Sequence, residues 1–431
     1  MRPAPALVAL LALLALPGAL WAFGLLGPGP FLAAACALLA SAAVDALLLR
    51  RLPSPSVGRT LPQAVALGHS LEVQLALEGA PMRLQLFDLH PPQWPQQGLP
   101  AGVQLQPGKR ARVAYQLQPD ARGLYQFAGI ELRLHSPLRL WRQRRRLEIA
   151  DSVRVYPDFA RVSHLALVGV ERASRALGAH QHRRRGEGTE FHQLREYRLG
   201  DSMRQIDWKA SRRALKLISR EYQDERNQQL MLVVDTGRRM LTHDGQLSDF
   251  DHALNATLLV AYVALRQGDA VGLFASGGSQ RHLPATRGLG ALDRLLDGVF
   301  DLQPSPVATD YLDMALQFDV RQRRRALVLL VTNARDEDIE DLKTGVRQLR
   351  RRHLVCVASL REAVLDPLLQ REPQALDGAL ESAAAAHYLE QRQRAHAELR
   401  AEGASVLDVT AAELPGALVD HYLAVKRAGR L

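Results

Sequence analysis

From Pro3 to Val44 the chain carries no charged residue. A membrane-spanning helix needs about 20 apolar residues, so this run has room for two helices and a turn. Gly27-Pro28-Gly29-Pro30 marks the turn, because such a cluster ends helices and reverses the chain. The expected unit is a transmembrane hairpin over residues 1–51, with one helix from Ala4 to Leu25 and a second from Pro30 to Leu49. Asp45 falls near the end of the second helix, where interfacial water can reach it, and a structural role is expected of it. Arg2 precedes the first helix, and Arg50 and Arg51 follow the second. The positive-inside rule then puts both ends in the cytosol. A cleaved signal peptide with Ala6 to Leu16 as its apolar core is the competing reading, and it still leaves the second helix as a stop-transfer segment. The expected placement is a two-pass protein of the inner (cytoplasmic) membrane, with the lipid bilayer as one partner and the soluble domains in the cytoplasm.

Residues 52–160 change character. Leu71 to Leu77, Met82 to Leu86, Arg112 to Leu117 and Ile130 to Leu134 alternate apolar and polar side chains between Gly and Pro turns. Several short runs of period two predict a small antiparallel β-sandwich-like domain. The basic run Arg142 to Arg146 reads as a solvated hairpin tip facing an anionic membrane surface.

The last stretch, 229–431, alternates buried strands with helices. Leu230 to Asp235, Ala270 to Phe274, Ala326 to Thr332, His353 to Val357 and Ser405 to Asp408 are apolar runs, separated by helical segments such as Phe250 to Arg266 and Leu289 to Phe300. Alternation of this kind predicts a parallel, doubly wound α/β sheet with ligands at the carboxyl ends of its strands. Leu376 to Ala401 reads as a long outer helix.

The net charge of +10 raises the question of nucleic acid. The basic residues lack aromatic interleaving, and there is no helix-turn-helix or zinc spacing, so no specific nucleic-acid partner is expected. Cys36 and Cys356 lie in apolar runs and read as neither disulfide nor metal ligand, which fits a reducing compartment.

Between the two soluble domains, residues 161–228 form a basic linker and then a dense motif. It includes Thr189-Glu190-Phe191, Leu194-Arg195, Tyr197, Gly200-Asp201, Arg204, Ile206-Asp207-Trp208-Lys209, Ser211 and Arg220-Glu221-Tyr222. Asp201 is the expected N-cap of a short helix carrying Ile206 and Trp208. Leu217 to Tyr222 is expected to pair with Gln229 to Val234 across a turn at Asp224 to Gln228. Glu190, Asp201 and Asp207 alternate with Arg195, Arg204, Lys209 and Arg220, a pattern suited to an ion-pair network that braces the segment or docks a partner. No nucleophile–base pair or cofactor loop accompanies these residues, so no enzyme is expected.

In these positions the motif closely resembles the signature of the bacterial "domain of unknown function 58" family; only the expected Ala after Ser211 is replaced, by Arg212. The resemblance implies two N-terminal spans, a β-rich region and a von Willebrand factor A-like α/β domain. It also implies a partner of the MoxR class of AAA+ ATPases, in chaperone-like assembly or maturation. In the von Willebrand A-like fold an Asp-x-Ser-x-Ser loop, a Thr and a later Asp hold Mg²⁺. Here Asp235 stands first in the loop, Gly237 and Arg239 replace both Ser residues, Thr309 matches the Thr, and Asn333 replaces the Asp. Hard divalent ions need more oxygen ligands than this, so no cofactor and at most weak Mg²⁺ binding is expected. Arg239 is expected to pair with Asp235. Asp235 reads equally well as a strand-end cap, and Thr309 as the N-cap of the next helix. The expected function is a membrane-anchored, cytosol-facing protein-interaction adaptor; the alternative is a metal-dependent ligand-binding or adhesion module.

Overall fold

The computed structural model describes residues 1–24, 27–158, 190–198, 202–223, 228–245, 247–370, 372–373 and 375–429. These fall into two compact units, Met1–Tyr156 and Pro157–Leu431.

In the first unit two helices, Pro5–Ala22 and Pro28–Arg51, are long and apolar enough to cross a membrane. Their apolar side chains are largely exposed, as expected of surface meant for lipid. Trp21 stacks on Phe31 across the turn at 5.7 Å. At the other end the hairpin is tied to the β structure. Asp45 is fully buried, and its carboxyl group accepts the backbone N–H of Leu138 at 2.9 Å and of Leu140 at 3.2 Å. The structural role expected of Asp45 is thus borne out, with the 138–140 turn rather than interfacial water as its partner. Trp141 Nε1 donates to the Ala42 carbonyl at 2.8 Å. Arg145 donates to the carbonyls of Leu49 and Leu52, satisfying the last turn of the second helix. Asp45→Ala leaves the buried Leu140 amide and the half-buried Leu138 amide without their acceptor, so it should lower the stability of this unit by about 1–3 kcal/mol, read by denaturation of the full chain in detergent.

The sheet-rich remainder contains five-, four- and three-stranded sheets. Leu71–Glu78 alternates buried and exposed residues along its whole length, as its sequence predicts. Pairing is antiparallel except where Ala64–Ala66 lies parallel to Arg154–Tyr156. The basic run is not a hairpin tip. It belongs to the strand Trp141–Leu147, which pairs with Ile130–His135 and sends alternate side chains outward. A buried Arg59 closes the core, donating to both Asp88 oxygens and to Asp151, with Tyr115 also donating to Asp88.

The second unit is built on a six-stranded sheet in the order Arg281–Thr286, Ala270–Ser276, Gln229–Asp235, Leu327–Thr332, Leu354–Arg361, Ser405–Thr410. The first strand in this order runs antiparallel to its neighbour, and the other five are parallel. Their continuous apolar sequence follows from helices covering both faces. Leu230, Leu232 and Val234 face Phe250, Leu254, Leu295 and Leu418; Met231 and Val233 face Met314, Phe318, Leu342 and Leu399. From Gln229–Asp235 the chain first builds the sheet in one direction, then returns to Leu327–Thr332 on the other side. That reversal opens a crevice between the carboxyl ends of these two strands, the usual place for a site in such sheets.

A separate two-stranded sheet pairs Glu190–Glu196 with Ile218–Gln223. The predicted pairing of residues 217–222 with 229–234 is thus incorrect. Alternation marks a strand without naming its partner, and both edges of Gln229–Asp235 are taken by Ala270–Ser276 and Leu327–Thr332.

Candidate functional site

At the crevice, Asp235 ends its strand and is 2% exposed. One carboxyl oxygen accepts the Gly237 N–H at 2.7 Å and the Thr309 hydroxyl at 2.5 Å. The other accepts the Thr332 hydroxyl at 2.6 Å and the Tyr311 hydroxyl at 2.9 Å. Burial, and after it the Asp235 carboxyl group, hold the Tyr311 phenol well above its ordinary range, which keeps it a donor. Neutral donors from three segments therefore converge on a single carboxyl group.

Gly237 is required by space. A Cβ there would press on the Thr309 hydroxyl and lie 3.0 Å from both Asp235 Oδ1 and the Val307 carbonyl. A serine at this position cannot coexist with Thr309 as placed. Thr309 is not the helix cap; Asp310 caps Tyr311–Arg321 by accepting the Asp313 N–H at 2.7 Å. The adjacent Thr236 hydroxyl accepts the N–H groups of Gly278 and Ser279, at 3.0 and 3.1 Å.

Arg239 does not meet Asp235. It donates to Asp338 at 2.6 Å and also to Glu337, because Asp235 has no acceptor position left and two carboxylates stand beyond it. Asn333 also turns away. Its amide donates to Glu362 at 3.2 Å, and its carbonyl accepts from Arg392 at 3.2 Å. Of the five positions named from the ion-binding pattern, only Asp235, Gly237 and Thr309 come together, and they bond to one another. This donor set does not fit a tight divalent-ion centre, which needs free hard oxygens arranged around a cavity.

Behind the crevice lies a polar cluster that sequence reasoning missed. Arg392, 2% exposed on the long helix Leu376–Ala401, donates to Asp408 at 2.9 Å and to Ser359 Oγ at 2.7 Å. It also reaches the carbonyls of Ala334 and Leu360. Glu362 accepts from Arg335 and Tyr388. Asp249 nearby is pushed up to about 6 by burial and then by Glu362. An Arg on the inward face of an Ala-rich helix was the available signal.

The signature segment divides its work by residue. Asp207, not Asp201, caps the short helix Trp208–Ala214, accepting the Lys209 and Ala210 N–H groups at 3.0 Å each. Its second oxygen pairs with Arg220 at 2.9 Å. The Ala210 amide, and then Arg220, hold the Asp207 carboxyl below its ordinary range. The Ser211 hydroxyl donates to the Asp207 carbonyl at 2.7 Å and accepts the Ile218 N–H at 2.8 Å. Arg195 donates to the Glu196 carbonyl. Gly200 and Asp201 lie outside the described residues; the backbones of Glu190, Phe191 and Glu221 pair in the two-stranded sheet. Tyr197 N–H closes that sheet onto Leu217, and Arg204 and Lys209 are exposed. Trp208 is 68% exposed, Met203 77% and Leu215 94%.

The family pattern described as "Protein of unknown function DUF58" matches residues 193–400. Over those residues the chain is similar to the DUF58 family. The DUF58 stretch contains the Asp207–Ser211–Arg220 brace, the crevice at Asp235 and Arg392. A relative, "Uncharacterized protein YeaD" of Bacillus subtilis (strain 168), is 25% identical over 178 residues, 41% of this chain and 42% of its own length. The match thus spans about two fifths of that relative. Among solved structures, the conserved hypothetical protein BatB from Bacteroides thetaiotaomicron aligns with 46% of this chain and 99% of its own, at 14% identity and a TM-score of 0.30. An aerotolerance-related membrane protein from Bacteroides fragilis NCTC 9343 aligns with 46% of this chain and 98% of its own, also at 14% identity and 0.30.

Proposed function

We propose that this chain is a membrane-anchored, non-enzymatic adaptor that presents the DUF58 signature segment to a protein partner, a MoxR-type AAA+ ATPase. The observation that carries the reading is the exposure of Trp208. Asp207, Ser211 and Arg220 brace the segment from within, while the Trp between them and its neighbour Lys209 face outward. A large aromatic held rigidly at a surface is the side chain that protein interfaces most often use as an anchor. The ATPase assignment follows from the family resemblance, as does a von Willebrand factor A type for the α/β domain. Arg2, Arg50 and Arg51 at the hairpin ends favour the cytosolic face of the inner membrane, where an ATP-driven partner has its fuel. Assembly or maturation of other proteins is the process this pairing would serve.

The spent carboxyl group of Asp235 favours this reading over a metal-dependent ligand-binding module, because such a module needs an ion to complete its site. Co-purification from a lysate of the source organism, using the full chain in detergent with and without ATP, tests the proposal. Recovery of an AAA+ ATPase in a nucleotide-sensitive way is expected. Trp208→Ala should reduce that recovery about tenfold while changing stability by less than about 0.5 kcal/mol. If wild-type chain recovers no ATPase in either condition, the partner assignment fails.

A further inference from the structure

The base of the hairpin holds a cavity of about 780 Å³ that the adaptor reading does not use. Its walls come from the start of the first helix (Ala4, Pro5, Ala6), from Leu52 just beyond the second, and from the sheet and turn that carry Arg83, His135, Arg139 and Arg142. No acidic side chain lines it, and among the described residues none of the three arginines has an ion-pair partner. We propose that this cavity holds the phosphate headgroup of an anionic membrane phospholipid.

Position selects the lipid. Both spans meet the sheet-rich body at this level, so the cavity lies where headgroups lie once the hairpin is inserted. Basic pockets beside the ends of spanning helices suit such headgroups, and long Arg side chains reach them readily. The Arg139 backbone is held in the left-handed region at φ 60°, an unfavourable conformation for a residue with a Cβ. What imposes it is the tight turn in which Arg139 N–H donates to the Ser136 carbonyl at 2.9 Å while the flanking amides of Leu138 and Leu140 are clamped by Asp45. The anchor itself thus sets where Arg139 sits. Burial, then Arg142 and Arg139, hold the His135 ring below its ordinary range, a sign that both charges converge on this wall. The first turn of the helix beginning at Pro5 adds its partial positive charge. The proposal rests on membrane insertion of the hairpin and is independent of the protein partner.

The test uses the full chain in nanodiscs of an equal mixture of phosphatidylcholine and phosphatidylglycerol, with retained lipids counted by native mass spectrometry. Wild-type chain is expected to retain phosphatidylglycerol over phosphatidylcholine by roughly tenfold. A combined Arg83→Gln, Arg139→Gln, Arg142→Gln variant should retain the two equally, and Arg139→Gln alone should lose part of the preference. Arg144→Gln removes an arginine whose partner is Glu131, outside the cavity, and should leave the preference intact. Equal retention by the wild type would overturn the proposal, as would an undiminished preference in the triple variant. Release of the lipid by millimolar inorganic phosphate would overturn it too, pointing to a soluble anion instead. Since ATPase recovery is a separate readout, failure here leaves the adaptor reading standing, and the reverse.

Discussion

Asp235→Ala is expected to destabilise the α/β unit by roughly 3–4 kcal/mol and to lower its melting temperature by about 10 °C. The substitution strands the Gly237 amide and the hydroxyls of Thr309, Tyr311 and Thr332 in a site with almost no access to water. Each stranded buried donor costs about 1–3 kcal/mol, and the hydroxyls recover some of it by bonding to one another, so the sum is less than four separate losses. Tyr311 and Thr332 already lie 2.9 Å apart, close enough to do so. Asp235→Asn separates a structural role from a demand for charge. With its NH₂ on the side of Thr332 and Tyr311, either hydroxyl can turn to accept, and the amide oxygen still serves Gly237 and Thr309. The expected loss is therefore only about 1–2 kcal/mol. Thermal denaturation of the full chain, following the transition of this unit, reads both. Equal and large losses in the two variants would show that charge, and not hydrogen-bond count, holds the crevice.

Arg392→Ala should cost about 3–5 kcal/mol, the usual consequence of removing one partner from a buried ion pair. The guanidinium joins the ends of three strands, at Ala334, Leu360 and Asp408, to one helix. Lysine cannot replace it, since an ammonium group has neither the planar fork nor the reach to serve Asp408, Ser359 and two carbonyls together. Arg392→Lys should thus recover less than half the loss. His396 supplies a second readout. Its ring is held down to about 4, first by burial and, among the charges, partly by Arg392, with Asp408 acting in the opposite direction. Without Arg392 the titration of His396 should move upward in an NMR experiment. A variant that melts early while His396 titrates unchanged would mean that the cluster had rearranged around another cation.

Local pattern made the elements of this chain legible. The uncharged run gives the hairpin, the alternation of Leu71 to Leu77 gives a half-buried strand, and Leu230 to Asp235 and Ala326 to Thr332 give strands covered on both faces. Pairing was less accessible. Ile218–Gln223 has the composition of a strand, but nothing in its residues distinguishes Glu190–Glu196 from Gln229–Asp235 as its neighbour. The arginine-rich stretch 142–146 looked like a solvated tip because charge was weighed above alternation, although exposed residues there alternate with half-buried ones, as along a paired strand. At the crevice, Asp235, Gly237 and Thr309 were legible as positions, and their chemistry was not. Thr309 and Thr332 lie 74 and 97 residues from the carboxyl group they serve, so only the fold shows that its oxygens are already taken. Arg239 was misassigned for the same reason, since its partners at 337 and 338 come from the far side of the sheet reversal.

The most direct measurement places a photo-activatable amino acid at position 208 of the full chain in the living cell and identifies what it captures. The adaptor account predicts a cross-link to an AAA+ ATPase that changes in yield when cellular ATP is depleted, and that is absent with the probe at buried Leu232. Capture of lipid or of this chain alone, with no ATPase at either ATP level, would contradict the account.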